Sequence, residues 1–200
     1  MAGRKRIDLE MQGTKGNRQR IWEALRARRD SFTAYQVARN AQVDDDAVRS
    51  YLQSLIRGGW VEVIDGQRFE EQTLRLVKDN GAEAPAVTRR GAPSTAGMGT
   101  EAMWRTLRIL GELNASELAE HASASVPVSL WSARSYLKWL KAAGYVLVVA
   151  PGKPGQKERY RLAPGRYTGP RPPMIQRIGQ VFDPNLGQVV YRREPEEAAV

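Results

Sequence analysis

The sequence has no cysteine, and only one of its 200 residues is histidine. The first absence excludes a disulfide framework and any thiolate metal site. The second leaves little for metal ligation or acid–base chemistry. His121 stands beside Ala119 and Ala122 in a stretch of helical composition and reads as a surface or partly packed residue. No apolar run approaches the ~20 residues of a membrane span. No long apolar stretch follows the basic residues of the N-terminus, so no signal peptide is expected either. Catalytic patterns are missing as well: no glycine loop leads into Lys and Ser/Thr between a strand and a helix, and no side chains show metal-ligand spacing. Neither an enzyme nor a bound cofactor or metal is expected, but a cytoplasmic protein that avoids the membrane. Acidic surplus is lacking too, since 31 Lys and Arg face 22 Asp and Glu, a formal charge of +9. Such a balance fits a polyanionic partner, and it also fits plain solubility.

What the chain does have is a repeat. Val48 to Ile64 reads VRSYLQSLIRGGWVEVI, and 85 residues later Ala133 to Val149 reads ARSYLKWLKAAGYVLVV. Eight of the seventeen aligned positions are identical, among them Arg49/Arg134, Ser50/Ser135, Tyr51/Tyr136 and Gly59/Gly144. Each copy changes period midway. Val48, Leu52 and Leu55, like Ala133, Leu137 and Leu140, follow i, i+4, i+7, the stripe of a helix buried along one side. Gly59 or Gly144 then supplies a left-handed helix end. WVEVI or YVLVV follows, β-branched and aromatic, as a strand.

Helix, glycine, aromatic, strand is the order in which a winged helix-turn-helix passes from its recognition helix to its wing. Both copies resemble that family, over most of residues 17–165. The resemblance implies a mainly α fold with small β wings: two tandem winged helix-turn-helix domains plus a C-terminal extension with a candidate β-hairpin. In chain order the expected parts are a basic N-terminal arm (1–16), a first domain (17–79), a flexible linker (80–98), a second domain (99–167) and the extension (168–200).

The arm carries Arg4, Lys5, Arg6 and Lys15. It reads as a segment that lies along phosphates or, equally, as a disordered terminus. Asn17, Asp44, Thr100, Asn114 and Ser129 stand where helix N-caps are expected, and Ser31 and Thr33 precede the second short helix. Residues 80–98 are rich in Gly, Ala, Pro, Ser and Thr without an apolar period, hence the linker. In the extension, IGQVF and QVVYR flank DPNLG as a hairpin, which alone is marginal in water. It is expected to dock on a domain or to await a protein partner.

Advancing about 100° per residue puts Trp131, Arg134, Ser135 and Lys138 opposite the core of the second repeat helix, with Lys141 at the edge. The first copy presents Arg49, Ser50, Gln53 and Arg57 there, behind Asp44, Asp45 and Asp46. These are groups that a recognition helix aims at base edges, or else a solvated helix face. The second domain adds Lys153 and Lys157 in its wing. Ten basic residues face five acidic ones across residues 99–167, whereas the first domain is nearly balanced. The second domain is therefore expected to bind double-stranded DNA more strongly. Tyr51 and Tyr136, nucleophiles in principle, lie on the core-flanking side and are expected to pack. The expected function is sequence-specific or semi-specific DNA binding in transcriptional regulation, and the general character is similar to small regulators of Mu-like transposable phages and prophages. A replication or partition initiator and a protein-interaction adaptor remain as alternatives.

Overall fold

The apolar stripe of each repeat helix becomes the centre of its own core. The computed structural model describes residues 15–176 and 179–193, and the chain divides into two compact units, Lys15–Thr95 and the residues from Ala96 onward. The N-terminal unit runs α1 (Asn17–Ala27), β1 (Phe32–Thr33), α2 (Ala34–Ala41), α3 (Asp45–Arg57), β2 (Val61–Asp65) and β3 (Thr73–Leu76). The C-terminal unit repeats that order as α4 (Met98–Leu110), β4 (Leu113–Asn114), α5 (Ala115–Ala122), α6 (Leu130–Ala142), β5 (Val146–Ala150) and β6 (Arg159–Leu162). It then adds β7 (Met174–Gln176), β8 (Gln180–Asp183) and β9 (Gln188–Arg192). The sheets are antiparallel, ordered β1-β3-β2, β4-β6-β5 and β7-β8-β9.

Six α-helices and three small sheets among the described residues make a mixed α/β chain, with more sheet than the expected mainly α fold. The excess has two sources. β1 and β4 have two residues each, too few for a period-two pattern to register. β7 adds a third strand to the expected hairpin β8–β9.

Capping explains most helix boundaries. Thr33 with Gln36, and Asn114 with Glu117, form reciprocal capping boxes. Asp44 accepts from the Asp46 amide (3.1 Å) and Ser129 from the Ser132 amide (3.1 Å), opening α3 and α6. Gly59 and Gly144 close these two helices at φ +67° and +74°. Two caps differ from expectation. Asn17 lies inside α1, where its side chain accepts from Arg20 (2.6 Å) instead of capping. α4 begins at Met98, two residues before Thr100, because Gly97 turns the chain in at φ +92°.

The expected flexible linker, 80–98, does not run free: residues 81–91 lie along the N-terminal unit. The Trp22 indole N–H donates to the Gly81 carbonyl (2.9 Å), and the Tyr51 hydroxyl to that of Pro85 (2.8 Å). Val87 enters the core. Gly91 backs so closely onto α3 that a Cβ there would meet the Gly58 nitrogen at 2.3 Å. A Gly- and Pro-rich composition signals a lack of regular structure, but a buried indole and phenol still need acceptors, and this segment supplies them. The C-terminal unit does the same: Trp104, matched to Trp22, donates to the Gly169 carbonyl (2.9 Å). GAEAP (81–85) thus corresponds to GPRPP (169–173), both ending in a buried proline. The repeat extends beyond the paired strands β2–β3 and β5–β6.

The extension docks on the C-terminal unit. Val181 joins its core, with Val190 and Tyr191 against it. The Asp183 carboxylate, fully buried, accepts from the Tyr145 hydroxyl, the Thr168 hydroxyl (2.7 Å) and the amides of Asn185 (2.8 Å) and Leu186 (3.2 Å). Trp104 meets Tyr145 edge-on and stacks on Tyr167, with both centroid separations at 5.7 Å.

Burial raises the phenol pKa values of Tyr51, Tyr136 and Tyr145, and the Asp183 hydrogen bond adds to the shift at Tyr145. The unfolded chain ionises these phenols near pH 10, whereas the folded chain holds them neutral to higher pH. Their contribution is therefore complete below about pH 10 and is lost as the pH rises beyond it. A cooperative alkaline transition is expected, with a step in phenolate absorbance coincident with loss of helical circular dichroism. Ionisation of all seven tyrosines with the helical signal intact would contradict it.

Candidate nucleic-acid interface

α6 is the element around which the candidate site forms. Ala133, Tyr136, Leu137 and Leu140 face the core, each nearly inaccessible. Spacings of three, four and three residues place Trp131, Arg134, Lys138 and Lys141 on the opposite face, all exposed, with Ser135 half-buried beside them. The helix contains no acid. Arg134 and Lys138 have no hydrogen-bond or ion-pair partner among the described residues.

The remaining cations are engaged to different degrees. The Lys141 ammonium donates to Glu158 (3.0 Å). That carboxyl is held below its ordinary value by the Tyr160 hydrogen bond first and by Lys141 next. Lys157 donates to the Ser116 hydroxyl (3.0 Å), a neutral acceptor that it can exchange for a phosphate oxygen at little cost. The backbone of Lys153 pairs with that of Gln156 in both directions (2.9 Å each), so a tight turn projects the Lys153 side chain outward. Arg161, which the sequence reading did not single out, also projects from β6, opposite Leu147 of β5 and without a partner among the described residues. The period of RYRL carried that signal, since alternation sends Arg161 to the outer face.

The matched face of the N-terminal unit is already committed. The Arg49 guanidinium pairs with Glu70 and lies over the Phe69 ring, 5.4 Å from its centroid. Arg57 donates to the Arg89 carbonyl (2.7 Å). Ser50 is exposed and Gln53 half-buried. Asp44 caps the helix, Asp45 pairs with Arg39 (2.8 Å), and Asp46 remains exposed. No local pattern reveals Glu70 as the partner of Arg49, because the pair joins residues 21 apart and Glu70 lies in the connection between β2 and β3.

In the arm, Arg4, Lys5 and Arg6 lie outside the described residues, and Lys15 pairs with Glu23 (2.9 Å). Tyr51 and Tyr136 are buried in their cores, a packing position. No described helix is long and apolar enough to cross a membrane. No protein-family model matches the chain, and a search of curated proteins finds no matching sequence.

Proposed function

We propose that the chain is a double-stranded DNA-binding protein of two tandem winged helix-turn-helix units that regulates transcription, with the C-terminal unit as its main contact. The observation that carries this proposal is the outward face of α6, where Arg134 and Lys138 stand uncompensated on a helix without acids. Arg and Lys on such a face reach guanine acceptors and phosphates, while Lys153, Lys157 and Arg161 extend the cationic surface along the wing. A salt titration against one random duplex tests the proposal. If four or five cations neutralise phosphates, log affinity should fall against log salt with a slope of about −4. Salt-independent binding, or none at low ionic strength, would refute it.

The Arg49–Glu70 pair favours another role for the N-terminal unit. Its helix face offers acids first and an arginine already neutralised, which fits a protein contact better than a phosphate.

A further inference from the structure

We propose that Trp131 is the residue with which the C-terminal unit selects a deformable base step, by stacking its indole on bases that open easily. The proposal rests on the DNA-binding function proposed above. Four of the five tryptophans are packed: Trp22 against Trp60, Trp104 against Tyr145 and Tyr167, and Trp139 against Tyr191 and beneath Arg193. Trp131 has no such neighbour among the described residues. At 77 % exposure it is the most exposed large hydrophobic side chain among them. The indole extends from the first turn of α6, with Leu130 also exposed beside it.

Its surroundings point to the kind of ligand. Arg134 and Lys138 follow at three and seven residues, so one face carries a flat apolar ring flanked by two cations. A protein partner that buried the ring would also have to neutralise both cations, whereas a nucleic acid supplies flat π-faces and phosphates together. The matched position in α3 is Asp46, and Leu130 is matched by Asp45. The two helices therefore differ at the positions that would meet DNA first, with carboxylates in one and apolar groups in the other. Stacking on bases inside a duplex requires partial unstacking, which is easiest at pyrimidine–purine steps and hardest in A-tracts. Trp131 thereby converts deformability into sequence preference without a hydrogen bond to any base.

The test compares the full chain with Trp131→Ala and Trp131→Phe on two labelled duplexes of equal length, one centred on a TA step and one on an A-tract. Trp131→Ala should weaken binding to the TA duplex roughly tenfold and to the A-tract about twofold or less, while Trp131→Phe keeps most of the difference. Equal losses on both duplexes, or no loss on either, would overturn the selection role alone. If the unaltered chain bound neither duplex at low salt, the DNA-binding function would fall with it.

Discussion

Replacing Asp183 with alanine is expected to destabilise the C-terminal unit by about 2–4 kcal/mol. Four donors converge on that carboxylate, two side-chain hydroxyls and two backbone amides, and the residue is fully buried. Alanine leaves all four without an acceptor in a cavity that the carboxylate had filled, and each unsatisfied buried donor costs about 1–3 kcal/mol when water does not replace the missing partner. The hydroxyl of Tyr145 ties the cluster to the turn after α6, and Thr168 ties it to the segment whose Gly169 carbonyl receives Trp104. The substitution therefore loosens β8 and the tryptophan together. Asp183→Asn retains an acceptor and the shape, and its hydroxyl neighbours can reverse their donors, so its loss should be about half as large. Urea denaturation followed by tryptophan fluorescence checks the order. A shift within about 0.5 kcal/mol for Asp183→Ala would mean that the cluster does not hold the extension in place.

How legible the fold was depended on how local its causes are. Thr33, Asp44, Asn114 and Ser129 announce helix starts because each acts on an amide two or three residues away. Residues 48–64 and 133–149 reveal themselves because one stripe, one glycine and one strand recur in register. The packed segments after β3 and β6 were hidden, since their cause is the demand of Trp22 and Trp104 for an acceptor 59 and 65 residues further on. The strongest local signal, abundant Gly and Pro, pointed instead to a free linker. The candidate interface divides in the same way. That Arg134 and Lys138 point outward follows from helical spacing, but that Arg49 is taken by Glu70 depends on the path of the connection between β2 and β3. The sequence-based ranking of the two units rested on Asp44, Asp45 and Asp46 in one and on the cationic surplus with Lys153 and Lys157 in the other, and the engagement of Arg49 by Glu70 was no part of it.

Removing Arg134 and Lys138 together should reduce duplex affinity at low salt by roughly a hundredfold or more. A base-reading arginine is worth about 1–3 kcal/mol and a phosphate-bound lysine somewhat less, and every 1.4 kcal/mol is a factor of ten. Neither side chain touches the core, so the variant should unfold at the same denaturant concentration as the unaltered chain. The salt slope should flatten by about one, for the phosphate that Lys138 no longer neutralises. Taken singly, Arg134→Ala should relax preference between a selected site and a random duplex, whereas Lys153→Ala should weaken both alike. Arg49→Ala should cost less than Arg134→Ala, because Arg49 must first leave Glu70 and the Phe69 ring before it can reach DNA. That ion pair is exposed and itself worth about 0–1 kcal/mol, so it reduces the gain from reaching DNA without forbidding it. Equilibrium binding of these variants to both duplexes, at two salt concentrations, measures all three differences. If Arg49→Ala were the most damaging change, the N-terminal unit would be the main DNA contact, and the uncompensated charge on α6 would serve solubility alone.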